Sequence, residues 1–433
     1  MFMLKFTAPV DIVYSVREKS SCYRYAVAET CRLLKRAGVA TRRKQRHFPK
    51  GWLRLHIGTP CMAVKAGRKK AAKVTGDAYI LIVSRTGVEI LSRTPKGILN
   101  GVYDLAEQLG FFFLLPGEDG EWVPTGGLHP LPLGMTVRIA QFPYRGVFWE
   151  SACAEDYPEE EWLKFYAKLR LNAISHHIRS RHLCEKLGLR LEIGGHGFAR
   201  LLPRKLFAKH PEMFRMLQPL DFNGQRMADF NLCVTSPGAR MLVKRNFARK
   251  IAGLKGVYAI HAWPDDLPAG GWCLCPTCRS YTASDQAMLA MKLLAEVIRS
   301  KRCRLRIPWI AYHDTMRPGN QISPPAECFL LFAPRERCYG HALDDPKCMR
   351  NQFYLKCLQE CEAKFRACDD AHTFEYYFDQ ILFRGIYPYL PDIIIRHANL
   401  SPAWHQNPHG TPGRRPGAGA GIQHAGFCSS SMG

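Results

Sequence analysis

The chain has 433 residues, 47% of them apolar, 23% charged and 11% aromatic, with a formal net charge of +24. That length exceeds one small core and points to two or three globular domains, while the lack of any apolar run of 18 residues excludes a membrane-spanning helix. Met1–Val13 lacks the basic and apolar stretches of a secretory leader, so a cytoplasmic location is expected. In that setting the 17 cysteines read as buried thiols or metal ligands rather than as a disulfide framework.

The charge is uneven. Residues 1–73 hold 18 Lys and Arg against Asp11, Glu18 and Glu29, a balance of +15. The densest pieces are Arg42-Arg43-Lys44-Gln45-Arg46 and Arg68-Lys69-Lys70. A patch for nucleic acid or another anionic surface is one reading. A solvated basic face is preferred, because no nucleic-acid motif and no interleaved aromatics accompany the charges.

In chain order, Asp11–Val16 is a strand candidate and Ser21–Gly38 a helix, with Ala26, Leu33 and Leu34 on its apolar side. Trp52–Ile57 reads as a strand. Asp77–Val83 and Val88–Leu91 form a hairpin, and Pro95 opens a helix that stops at Gly110. Together these predict an N-terminal α/β sandwich domain over residues 1–137. From Tyr144 the pattern becomes a strand–helix alternation. The strands are Gly146–Trp149, Ala173–Ile178, Arg190–Ile193, Val257–Ala262, Leu305–Ala311, Cys328–Phe332 and Thr373–Tyr377. The helices between them are Pro158–Leu171, His182–Leu187, Pro237–Ile251, Ser284–Arg299 and Gln352–Phe365, with a helical insertion ahead of Phe214. About seven such units argue a parallel (β/α)8-type TIM barrel over 138–400, truncated before its eighth strand.

In residues 401–433, 11 of 33 are Gly or Pro and no periodicity survives. This tail is expected to be disordered or frameshifted, leaving open edges on the first and seventh strands.

Two sets of stretches carry a family resemblance. Asp77–Val83, Thr94–Leu105 and Gly110–Pro124 resemble the N-terminal domain of bacterial β-hexosaminidases and α-glucuronidases. Trp263-Pro-Asp-Asp, Trp272-Cys-Leu-Cys-Pro-Thr-Cys-Arg279, Ala311-Tyr312 and Arg337-Cys338-Tyr-Gly-His341 resemble the domain of unknown function numbered 4838, over roughly residues 10–395. That family is similar to glycoside hydrolases with a catalytic (β/α)8 barrel, which implies a carbohydrate-active bacterial protein.

In such a barrel the active site lies at the C-terminal strand ends. Those ends offer Trp149 with Glu150, His176 with His177, His196, His261 through Asp266, Tyr312 through Asp314, Arg335 with Glu336, and Glu375 through Tyr377. Sugar hydrolysis needs carboxyl groups in different protonation states, and aromatic faces stack on pyranose rings. Asp265 and Asp266 are the foremost catalytic candidates, resembling the adjacent acids of substrate-assisted hexosaminidases; a Pro-Asp-Asp-Leu-Pro turn is the bland alternative. Glu375 is the alternative acid. Trp149, His177, His196, Tyr312, Arg335 and Tyr376 are substrate-binding candidates. Arg335 suits the carboxylate of a uronic acid, and the glycines around His196 would let the backbone approach a ligand.

Cys273-Leu-Cys275-Pro-Thr-Cys278 places three thiols within six residues, a spacing that suits a structural zinc. Cys338, His341 or Cys348 is the expected fourth ligand, and Cys233 reads as a small buried apolar residue. No catalytic cofactor is expected. The expected partner is a carbohydrate substrate rather than a membrane or nucleic acid. The expected function is hydrolysis of an oligosaccharide containing N-acetylhexosamine or uronic acid, and the alternative is a catalytically defective carbohydrate-binding homologue.

Overall fold

A computed structural model describes residues 2–44, 52–58, 76–148, 157–217, 224–228, 231–267, 271–368, 370–376 and 420–425. The chain divides into two compact units that alternate along the sequence. The first comprises Met1–Pro143, Ser151–Ala173 and Arg179–Arg190, and the second comprises Tyr144–Glu150, Ile174–Ile178 and Leu191–Gly433.

The first unit contains β1 (Met3–Leu4), β2 (Val10–Val13), β3 (Thr41–Lys44), β4 (Leu53–Ile57), β5 (Tyr79–Ser84), β6 (Gly87–Leu91), β7 (Phe112–Phe113), β8 (Glu121–Trp122), β9 (Leu131–Pro132) and β10 (Gly134–Arg138). Six of these form a mixed sheet in the order β10-β5-β6-β4-β2-β3. The β5–β6 hairpin pairs Val83 with Val88, and β10 extends it antiparallel. Helix Ser21–Arg36 begins where the Ser20 side chain accepts the Tyr23 N–H, and helix Pro95–Gln108 where Thr94 accepts the Gly97 N–H with Pro95 preset for the first turn. Gly101 lets the second helix lie close on the sheet, since a Cβ there would fall 2.5 Å from Ile90 Cγ2. The edge strand Thr41–Lys44 was not expected, because its basic residues hide its pairing role. Arg42 Nε donates to Asp11 Oδ1 at 2.6 Å across the parallel β2–β3 pair, and its guanidinium covers Trp52 at 3.8 Å.

Charge is also buried in this unit. The fully enclosed Glu121 carboxylate meets Lys168 Nζ at 2.7 Å, Arg32 at 2.6 Å, and Arg36. Burial alone would raise this carboxyl, but Arg32 and Lys168 hold it below its ordinary value. The basic run Arg68-Lys69-Lys70 lies outside the described residues.

The second unit is built on β11 (Tyr144–Phe148), β12 (Ala173–Ser175), β13 (Arg190–His196), β14 (Val257–Trp263), β15 (Ile307–Ala311), β16 (Cys328–Phe332), β17 (Ala371–Glu375) and β18 (Ala420–Ala425). Their order is β14-β13-β12-β11-β18-β17-β16-β15, and the pairs β11–β18, β13–β14, β15–β16, β16–β17 and β17–β18 are parallel. The two ends of this order also meet: the Ile260 N–H donates to Arg306 O at 2.9 Å and the Arg306 N–H to Tyr258 O at 3.1 Å. Strands β15 and β16 are buried at every position, as continuous apolar runs covered on both faces require. Helices Pro237–Ile251, Ala283–Ser300 and Met349–Phe365 connect strands of this sheet. The first two are capped by Ser236 and Thr282, as their sequences require.

The expectation of seven strands with an open place is corrected. Ala420–Ala425 fills the eighth position, with Gly421 opposite both Tyr144 and His372. Strand pairing uses backbone groups, which glycine and alanine supply as well as any residue, so side-chain periodicity carried no sign of it. The rest of 401–433 lies outside the described residues.

Candidate functional site

The C-terminal ends of β13, β14 and β15 frame a small depression lined by His196, Trp263, Asp265, Trp272, Tyr312 and His313, among others. Asp265 sits just past β14. It is 8% exposed, and its N–H donates to Asn231 Oδ1 at 3.1 Å, while Asn231 Nδ2 donates to Gly271 O at 3.0 Å. One asparagine therefore ties both sides of the acid-bearing loop. Asp266 is exposed and lies 3.6 Å from His313 Nε2, whose other ring nitrogen is 3.5 Å from Glu336. The bond to His313 holds the Asp266 carboxyl below its ordinary value, and the same bond raises His313. Burial raises the Tyr312 hydroxyl and partial desolvation raises the Asp314 carboxyl, so Asp266 and Asp314 are driven in opposite directions.

Aromatic rings close the other side. Tyr312 stacks with Tyr376 at 6.4 Å between centroids, Arg335 lies 5.9 Å over Tyr376, and Arg335 pairs with Glu336 at 3.6 Å. His196 Nδ1 donates to Pro264 O at 2.6 Å, and the ring meets Trp263 edge-on. The sheet thus brings together Asp265, Asp266, His196, Tyr312, Arg335 and Tyr376 among the residues singled out from sequence.

Other candidates go elsewhere. Glu375, the alternative acid, is wholly enclosed and paired with the equally enclosed Arg337 at 3.0 Å. His177 is exposed and its N–H donates to His176 Nδ1 at 2.6 Å. Trp149 lies outside the described residues. Gly194 is required by the strand packing itself. Its φ is +109°, and a Cβ would fall 2.1 Å from His261 O on the adjacent strand.

Inside the sheet runs a chain of polar groups of which the sequence pointed only to His261. Glu192 Oε2 lies 2.6 Å from His261 Nε2, both fully enclosed, and the Tyr144 hydroxyl donates to Glu192 Oε1 at 2.7 Å. His372 stacks on Tyr144 at 3.9 Å and pairs with Asp370 at 2.9 Å. Burial opposes the Glu192 charge, yet His261, His372 and Tyr144 hold the carboxyl below its ordinary value. An acid inside the apolar strand Leu191-Glu192-Ile193 was the available signal, since such a charge on a buried strand needs a partner.

The cysteines also regroup. Cys233, Cys273, Cys275 and Cys278 are all buried, with their sulfurs within 4.8 Å of one another. Cys338, expected as their fourth member, instead lies with His341 and Cys348. Its sulfur is 3.1 Å from His341 Nδ1.

Several solved structures share this fold. The β-N-acetylhexosaminidase of Bacteroides fragilis matches with a TM-score of 0.54 and 12% identity, over 98% of this chain and 83% of that one. The N-acetyl-β-hexosaminidase of Streptomyces plicatus matches with 0.53 and 12%, over 98% and 82%. A family GH115 4-O-methyl-α-glucuronidase with specificity for decorated arabinogalactans matches with 0.56 and 12%, over 98% of this chain and 55% of that one. The chain therefore spans about half the length of the glucuronidase. At this identity the likeness establishes a glycoside-hydrolase-like fold. No curated protein matches the chain. The family model described as Domain of unknown function (DUF4838) matches residues 116–393, more than half of the sequence, and the chain belongs to that family.

Proposed function

We propose that the protein is a glycoside hydrolase, that its eight strands close as a (β/α)8 barrel, and that it cleaves oligosaccharides containing N-acetylhexosamine or uronic acid. The observation that carries this reading is the convergence of Asp265, Asp266, Tyr312, Tyr376 and Arg335 at one end of the eight-stranded sheet. Glycosidic cleavage needs paired carboxyl groups beside the scissile bond. Asp266, held ionised by His313, suits orientation of the substrate or stabilisation of positive charge at the sugar ring. Asp265, fixed through its backbone by Asn231, is left for proton transfer. Tyr312 and Tyr376 offer ring faces for a pyranose, and Arg335 offers a fork for a uronate carboxylate. The structural neighbours, hexosaminidases and a glucuronidase by name, support the same sugar classes.

The test is hydrolysis of aryl glycosides of N-acetylglucosamine, N-acetylgalactosamine, glucuronic acid and common neutral sugars. On the responsive substrate, Asp265→Asn should lower kcat by about 100-fold or more, the usual loss for a proton-transfer group, and Asp266→Asn by about 100-fold, the usual loss for a group that stabilises transition-state charge. Unchanged rates in both variants would remove the two acids from catalysis. Sugar binding without turnover on any substrate would make the protein a carbohydrate-binding homologue.

A further inference from the structure

We propose that Cys233, Cys273, Cys275 and Cys278 bind one structural Zn2+ as a closed tetrathiolate site. The four side chains come from two separate stretches, one just before helix Pro237–Ile251 and the other in the loop between β14 and helix Ala283–Ser300. All are at least nine-tenths buried: Cys233 is 3% exposed, Cys275 6%, and Cys273 and Cys278 are fully enclosed. Thiolates at the usual zinc–sulfur distance of about 2.3 Å form a tetrahedron with edges of roughly 3.8 Å. Cys233 Sγ lies 3.7 Å from both Cys275 Sγ and Cys278 Sγ. That spacing is too long for a disulfide, which needs about 2.05 Å, and it leaves room for a single ion at the centre.

The surroundings are those of a site built for negatively charged sulfur. The Cys278 N–H points to Cys275 Sγ at 3.4 Å within the Cys275-Pro-Thr-Cys278 turn, and the Met216 N–H points to Cys273 Sγ at 3.3 Å. The Thr235 hydroxyl is 3.1 Å from Cys278 Sγ. Donors of this kind orient metal-bound sulfur and offset its charge. Gln286 fixes the loop from the helix side: its side-chain oxygen accepts the Cys273 N–H and its amide donates to Cys273 O and Cys278 O. With four sulfur ligands the ion has no open position, so it holds structure and takes no part in a reaction. What it holds is the loop between Asp266 and Ala283, and it clips that loop to the segment bearing Asn231. The assignment does not depend on the sugar chemistry proposed above.

Metal analysis of the full-length protein should find one zinc per chain. X-ray absorption should show four sulfurs near 2.3 Å, the ordinary zinc–thiolate distance. Cobalt(II) exchanged into the site should give the intense visible bands of a tetrahedral thiolate complex. Cys273→Ser and Cys233→Ser should lose the metal and lower Tm, whereas Cys338→Ser should retain it. Four accessible thiols that bind neither zinc nor cobalt, or absorption data with fewer than four sulfurs, would overturn the proposal. So would loss of the metal in Cys338→Ser. The cobalt spectrum and the absorption data need no substitution, so they decide the matter even if the cysteine variants fail to fold.

Discussion

Asp266 and His313 form a charge pair at the depression that water still reaches, and their coupling is open to measurement. Asp266 raises His313 above the usual imidazole value of 6.5, with Glu336 adding to the effect and Arg335 opposing it. Stability from the charged imidazole is fully present below pH 6.5 and is lost as pH rises through the raised folded value. NMR titration should place the His313 midpoint above 6.5 in the wild type and closer to 6.5 in Asp266→Asn. Glu375 behaves otherwise. Its variant Glu375→Ala strips the buried Arg337 of this carboxylate and should cost roughly 3–5 kcal/mol in urea unfolding. A fully stable Glu375→Ala would contradict the enclosed ion pair. At this scale the sequence exposed part of the site. Asp265 and Asp266 were legible because they follow a predicted strand directly, and Tyr312 likewise. His313 and Glu336 were legible only as neighbours of those residues, since their pairing with Asp266 joins three separate strand ends. Cys233 was read only as a small buried apolar residue. It lies 40 residues before Cys273, and nothing local distinguishes it from a buried apolar side chain.

Elements with strong local chemistry were the readable ones. Helices Ser21–Arg36, Pro95–Gln108, Pro237–Ile251 and Ala283–Ser300 carry a side-chain cap at their starts, and Cys328–Phe332 is a bare apolar run. Strands β3 and β18 were not readable, because Thr41-Arg-Arg-Lys44 and Ala420-Gly-Ile-Gln-His-Ala425 carry no alternating apolar pattern. The motif Gly194-Gly195-His196-Gly197 was seen, but the packing role of its first glycine was not. Gly194 serves the close register of β13 on β14, where the carbonyl of His261 occupies the space of a Cβ. Gly194→Ala should therefore destabilise the sheet by about 2–4 kcal/mol, combining backbone strain with a clash that has no flexible partner. Thermal unfolding of that variant checks it; an unchanged Tm would mean that the strands can part without cost.

The whole molecule couples its charge to acid stability. Glu121 keeps its carboxyl depressed, so its contribution is present above its ordinary value of 4.5 and is lost as pH falls through the lower folded value. Urea titrations between pH 6 and 3 should show a steeper loss for the wild type than for Glu121→Gln, which would begin less stable and change less; parallel curves would contradict the buried cluster. The cations around Glu121 come from Arg32 and Arg36 near the start of the chain and from Lys168, beyond strand β11. Asn172 similarly donates to Asp77 at 3.1 Å across 95 positions of sequence. The first unit is thus completed by segments that arrive only after the chain has already entered the second. It cannot be exchanged between relatives as a cassette cut at residue 143. A recombinant joined there would inherit Glu121 from one parent and Lys168 from the other. Shuffled genes of this family should accordingly tolerate crossovers after about residue 190 far better than crossovers between 143 and 173.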